Sequence, residues 1–296
     1  MFSLAALRYR SVSVPGRGPI SRFESGEFPV FGRRLFQVNA WLAPGHVPDR
    51  PLSIYSNADG TGAHPLLSVA RHMAVSEALE RWAYHTVVHS AQNGDFGFDR
   101  DRSSNGMAAF PGLTSKPARR MAVLEAIERY SLLAWWEGLI DGEPRDTEWP
   151  GVSALAFEGP LGGVAVLLHR RSEAGFHSYG QAAAESFTAA CEKGIVELAR
   201  HEWVLRCRCL LHGGLAAGPA VANLLEQRSL FFATEAGYEL FQQRLGRRAG
   251  HARPIPRVVA DGEIKGPWTR YASVWRFALQ PPSQRFLEDD ERYFFW

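Results

Sequence analysis

The sequence predicts a mixed α/β or α+β chain in which mixed sheets are flanked by helices and one acidic helix recurs. Three observations predict it. Two windows, 66–90 and 117–137, carry the apolar period of a helix. The run Leu161–His169 is continuously apolar, as a buried strand is. Helical and extended stretches are interspersed along the remainder, with no low-complexity linker between them.

Residues 1–52 are rich in Gly, Pro and Arg, and within them Arg34–Leu42 reads as extended. The helix of 66–90 follows, then a polar, Gly- and Asp-rich connector from Asn93 to Arg102. After the helix of 117–137 and the strand Leu161–His169, a third helix is expected over Ala184–Leu211. Gly213–Pro219 is a Gly- and Ala-rich loop, and Leu224–Leu245 reads as one further helix. Beyond Gly250 the chain turns proline-rich, then alternates aromatic and polar residues from Trp268 to Phe277 as a strand does. A length of 296 residues suits one large domain or two intertwined subdomains. No composition break divides the chain, so 1–296 is read as a single domain.

The residue inventory excludes several classes. Lys plus Arg number 33 against 31 Asp plus Glu, a balance that argues against a nucleic-acid-coating protein. Arg244, Arg247, Arg248 and Arg253 form a local basic stretch, read as solvated surface. Three cysteines, Cys191, Cys207 and Cys209, cannot build a disulfide framework, and the C-x-C pair has no second pair to complete a zinc site. A reducing, cytoplasmic setting is expected, and no apolar run approaches membrane-spanning length.

The informative feature is a repeat. Ala70, Met73, Ala74, Glu77, Glu80 and Arg81 recur 48 residues later as Ala118, Met121, Ala122, Glu125, Glu128 and Arg129. Each copy follows a small-residue segment, Asn57–Gly62 in the first and Ser103–Ala108 in the second. A weaker third copy has Ala190, Gly194 and Glu197 behind Ser178-Tyr179-Gly180, with Arg200 and His201 where Glu and Arg stand in the others. On a helix the two glutamates and the arginine of each copy share a face with the alanines and the methionine. A single Glu-to-Arg pair at i,i+4 is ordinary surface chemistry. A repeated one beside small residues suggests two halves of a site that something approaches. Four carboxylates and two guanidiniums sum to −2 and need a counter-charge if enclosed. Magnesium supplies it, binding a few carboxylates together with water and phosphate oxygens. Arg81 and Arg129 could grip phosphate, and Gly60, Gly62, Asn105 and Gly106 would let backbone N–H groups approach it. The residues alone therefore point to a magnesium–nucleotide site lacking both the P-loop and the dinucleotide fingerprint.

Ser68–Trp82 (SVARHMAVSEALERW), with Ser103–Ala109 (SSNGMAA) and Ala118–Tyr130 (ARRMAVLEAIERY), resembles the paired signatures of YcaO-domain proteins. Ser178–Ala199 resembles their third block. The resemblance spans roughly 53–205 and leaves 210–296 uncovered. It implies a YcaO-like fold that uses ATP and Mg²⁺ to phosphorylate a peptide-backbone amide, yielding azolines, thioamides or amidines in ribosomally made peptides. It further implies Glu77, Glu80, Glu125 and Glu128 as magnesium ligands, with Arg129 and Arg81 on phosphate. The implied partners are a peptide or protein substrate and a protein that recognises leader peptides, with a homodimer open and no nucleic acid or membrane. Met73, Met121, Pro117, Ala108 and Thr61 stand where the family has polar or charged residues. A non-catalytic YcaO-like partner protein is therefore the alternative, and a third reading makes the repeated helices mere packing elements. His85 and His89 (H-x-x-x-H) lack a third metal ligand, and His177, beside the third block, reads as an ordinary loop histidine, the alternative being a catalytic or phosphate contact. Trp135 and Trp136 are expected in the core.

Overall fold

A computed structural model of the chain describes residues 3–48, 53–55, 57–99, 106–249 and 255–296. The expected α/β mixture forms: among the described residues there are six α-helices and ten strands, in three sheets whose pairings are antiparallel. The chain falls into two compact units interleaved in sequence. Unit 1 is Met1–Pro51, Ser56–Ala126 and Arg257–Gln280; unit 2 is Leu52–Tyr55, Ile127–Pro256 and Pro281–Trp296.

Unit 1 begins with the short helix α1 (Ala5–Arg8), then the hairpin β1 (Ile20–Val30) and β2 (Arg33–Leu42). Its two-residue turn, Phe31-Gly32, has φ of 44° and 82°, the left-handed pair whose twist matches that of the strands. Strand β3 (Gly60–His64) joins the free side of β2 and leads into α2 (Leu67–Val88). The second sheet has the order β4 (Gly106–Phe110), β10 (Ser273–Leu279), β9 (Val258–Ile264), and β4 leads into α3 (Lys116–Trp136). The Trp268–Phe277 stretch, read as one strand, opens with a turn of 3₁₀ helix at Pro267–Arg270 before β10 starts. The core gathers Val38, Leu79, Val87, Phe98, Trp268 and Val274. Trp268 donates its indole N–H to Ile264 O, so its polar edge is not stranded there.

Unit 2 contains the four-stranded sheet β5 (Glu143–Asp146), β6 (Ser153–Glu158), β7 (Val164–Arg171), β8 (His177–Ala184), with α4 (Phe187–His212) following β8. The single helix expected over Leu224–Leu245 is two, α5 (Leu224–Phe232) and α6 (Glu235–Leu245). The break has a local cause: the Thr234 hydroxyl accepts from Gly237 N and caps α6. Gly237 also sits against the backbone of Phe231 and Phe232, where a Cβ would collide. Trp135 is buried as expected.

Arg244 and Arg228 are buried in unit 2, and the first of them corrects the sequence reading. Arg244, assigned to a solvated basic stretch, is buried and donates to the carbonyls of Trp135, Trp136, Ile140 and Arg247. Trp135 and Trp136 give it the C-terminal carbonyls of α3, the negative end of a helix, which is why a cation is drawn inward there. Arg253, of the same stretch, lies outside the described residues. Arg228 is fully buried and donates to the carbonyls of Phe286, Glu288, Asp290 and Phe295, folding the last segment onto α5. Among the described residues no helix is long and apolar enough to cross a membrane.

Candidate functional site

The repeat is a three-dimensional unit: a glycine on a strand, then a helix laid directly over it. A Cβ on Gly60 would overlap Ala74 O and Ala78 N, and one on Gly106 would overlap Ala122 O and Ala126 N. On Gly180 it would overlap Gly194 O and Leu198 N, so the third, weaker copy is built the same way. The equivalent helix positions are those the sequence aligns: Ala74, Ala122 and Gly194. Ala70, Ala74, Ala78, Ala118, Ala122 and Ala126 are all fully buried. This corrects the sequence reading of the small-residue face as space for a ligand. The alanines are small because strand backbone occupies that face. Gly60, Gly62 and Gly106 lie on strands β3 and β4 rather than on phosphate-cradling loops, and Asn105 lies outside the described residues.

Among the described residues each of the three strands is at the edge of its sheet: β3 pairs only with β2, β4 only with β10, and β8 only with β7. An edge strand leaves a row of N–H and C=O groups to be satisfied, and the signature residues satisfy some of them. Glu77 Oε2 accepts from Thr61 N at 2.9 Å and Thr61 Oγ1 at 3.1 Å. Glu125 Oε2 accepts from Met107 N at 3.0 Å. Arg81 Nε donates to Asp59 O at 3.1 Å, and its NH2 lies 3.6 Å from Glu77 Oε1. In the first copy, therefore, the glutamate takes the N–H after the strand glycine and the arginine holds the carbonyl before it.

The third copy repeats the second half of this clamp with different chemistry. His201, at the position of Arg81, accepts from Tyr179 N at 3.1 Å, the residue before Gly180. Its Nε2 lies 2.9 Å from Ser229 Oγ, which in turn lies 2.6 Å from the Tyr55 hydroxyl. Burial pushes the His201 pKa down to about 4, so the ring is neutral. His177, read as a loop histidine, starts strand β8. It is buried, stacks on Tyr238 with ring centroids 3.7 Å apart, and places Nε2 3.3 Å from Glu235 Oε2. Burial lowers its pKa, against the opposing pull of Glu235.

The predicted ligands divide as follows. Glu77, Glu80 and Glu125 belong to unit 1 and Glu128 to unit 2; all four, with Arg81 and Arg129, are half-buried. The Arg129 guanidinium carbon lies 6.0 Å from the Phe295 ring centroid. Met73 and Met121 are exposed. Among the described residues no three His, Cys, Asp or Glu are grouped to hold a metal ion. His85 is in the last turn of α2 and His89 follows it. The donor chemistry nonetheless suits magnesium, a hard cation that takes one or two carboxylates and completes its shell with water and phosphate oxygens.

No protein-family model matches the chain, and no curated protein does. Among solved structures, the chain is similar to one in the E. coli microcin synthetase McbBCD complex, with a TM-score of 0.53, 13% identity and 86% of each chain covered. The same complex with pro-MccB17 bound gives a TM-score of 0.52 at 12% identity, again over 86% of each chain. At such identity the likeness is one of fold, and the fold it identifies is that of a chain in a microcin synthetase.

Proposed function

We propose that this protein acts in the maturation of a ribosomally made peptide, activating a backbone amide of its substrate by ATP-dependent phosphorylation. The observation that supports this reading most is the repeated glycine-strand and E-x-x-E-R helix, found in a chain that shares its fold with part of a microcin synthetase. Glu77, Glu80, Glu125 and Glu128 are the residues that would hold magnesium, which neutralises phosphate charge when bound. Arg81 and Arg129 would orient the phosphates, as planar guanidiniums do. The edge clamp has a part in this: by fixing Gly60 and Gly106 against their helices it sets where Glu80 and Glu128 stand on α2 and α3. A peptide substrate and a leader-recognising partner protein go with the same reading.

A second reading, a non-catalytic partner in such a pathway, is favoured by one set of contacts. Glu77 and Glu125 already accept strand N–H groups and Arg81 already holds the carbonyl of Asp59, just before β3. Thermal melting decides between them. On the enzymatic reading, ATP with magnesium raises the melting temperature by ligand linkage, by about 2.7 kcal/mol of stability at 100 times the dissociation constant. Glu80→Gln or Glu128→Gln abolishes the rise. No rise at millimolar nucleotide, followed by its appearance in Met73→Ser/Met121→Gln, identifies the polar losses as the cause and favours the partner reading.

A further inference from the structure

Helix α4 leaves one face uncovered over its last three turns. Trp203, Arg206, Cys207, Leu210 and Leu211 fall at i, i+3, i+4, i+7 and i+8, the spacing of a helical stripe. Trp203 is 50% exposed, Leu210 76% and Leu211 78%, values that place large apolar groups in water side by side. The opposite side of the same helix is the buried one, carrying Leu198, His201, Leu205 and Arg208. The loop that follows could have folded over the stripe, and a specific contact keeps it away. Arg208 donates to Leu215 O at 2.8 Å and to Pro219 O at 3.0 Å, drawing residues 215–219 back along its own side of the helix.

The charges on the stripe select the partner. Arg206 is exposed and makes no ion pair among the described residues. Earlier on the helix, Arg200 is bound to Glu197 at 2.7 Å, and Lys193 donates to Ala183 O. The acidic neighbour Glu202 is taken by Arg170 at 3.3 Å and so turned away. What remains on the face is an apolar anchor, Trp203 with two leucines, beside a free positive charge. Trp and Arg are the side chains that dominate protein interfaces. A stripe this short, with so little net charge, is a poor membrane anchor, which needs a longer apolar face or a basic cluster.

We propose that this face of α4 docks an acidic amphipathic helix of a partner polypeptide, leucine-type side chains packing on Trp203, Leu210 and Leu211 while a carboxylate meets Arg206. The inference is independent of nucleotide binding, so either can fail without the other. The probe is a fluorescein-labelled 20-residue peptide of order two heptads or more, long enough to form a helix on contact, with Leu along one face and Glu on the other. Its anisotropy is followed on titration with the full chain. The expected result is saturable binding that weakens about tenfold or more in Arg206→Glu and is lost in Leu210→Ser/Leu211→Ser. The same peptide with Lys for Glu binds about tenfold or more weakly to the wild type. Because all three side chains are solvent-facing, each variant should keep its melting temperature. Equal binding of the acidic and basic peptides, or unchanged binding by both variants, overturns the proposal. So does sedimentation showing a dimer that Leu210→Ser/Leu211→Ser dissolves, which would give the face to a second copy. Binding of the wild type, but not that variant, to phosphatidylserine vesicles would give it to a membrane and likewise overturn the proposal.

Discussion

At Gly106 a missing side chain decides whether a helix can lie on a strand. Gly106→Ala would drive a methyl group into Ala122 O and Ala126 N, both backbone atoms that no rotamer can move. The expected cost is about 3 kcal/mol, at the upper end for overpacking, read as a shift of the urea midpoint at unchanged slope. The clamp residues give a finer test. Glu125→Ala leaves the buried Met107 N–H without this acceptor and should cost about 1–2 kcal/mol. Glu125→Gln keeps an acceptor oxygen and should cost less than half of that. Faster exchange of the Met107 amide in Glu125→Ala alone ties the loss to this bond, whereas equal effects of both variants would show that charge matters instead. The sequence draws attention to these residues because an acidic pair repeated with its alanines stands out in any window. It could not disclose what they touch. The partner of Glu125 is a backbone N–H at position 107, and backbone groups leave no trace in a pattern of side chains. Reading the alanine face as room for a ligand followed directly from that blindness.

Elements were legible in proportion to their length. Helices α2, α3 and α4 run 22, 21 and 26 residues, enough turns for a periodic stripe to emerge, and their predicted limits lie within about three residues of the observed ones. Strand β7 was visible because it is buried on both sides. The strands that carry the repeat were not: Gly106–Phe110 and His177–Ala184 hold glycines and alanines chosen for close helix approach, which erases the apolar alternation of a half-buried strand. Strand β5 is four exposed residues with no pattern at all. The α5–α6 break was missed because a Thr cap in mid-pattern weighs little against continuing apolar residues. Thr234→Ala should destabilise unit 2 by about 1 kcal/mol through the lost cap, measured by urea unfolding. Thr234→Ser should restore most of it, and a neutral Thr234→Ala would mean that Gly237 alone sets the turn.

For the whole molecule, pH is the variable that gathers single burial events into one measurable stability. His169 and His201 both lie in unit 2, and burial pushes each down to about 4, with neighbouring His177 adding to the effect at His169. In the unfolded chain both return to the ordinary value near 6.5. Above about pH 6.5 neither state binds these protons and the full stability is present. As pH falls from there towards 4, the unfolded chain gains protons that the folded chain refuses, so stability declines. By about pH 5.5 the loss is about 1 kcal/mol for each histidine, and about 2 kcal/mol together. The carboxylates act elsewhere on the scale. Asp261, whose pKa is lowered by its hydrogen bonds to Arg119 and Trp275, contributes a loss only below its unfolded value near 3.8. Urea unfolding at about pH 7 and about pH 5.5 thus reads the histidines, and His177 and His72, whose pKa values burial also lowers, add losses of the same sign. His201→Gln, whose amide can still meet Tyr179 and Ser229, should remove about 1 kcal/mol of the difference while costing little at about pH 7. A wild-type profile flat across that interval would mean that water reaches both rings, and with it the buried His201–Ser229–Tyr55 chain that anchors the third copy of the repeat would have to be open.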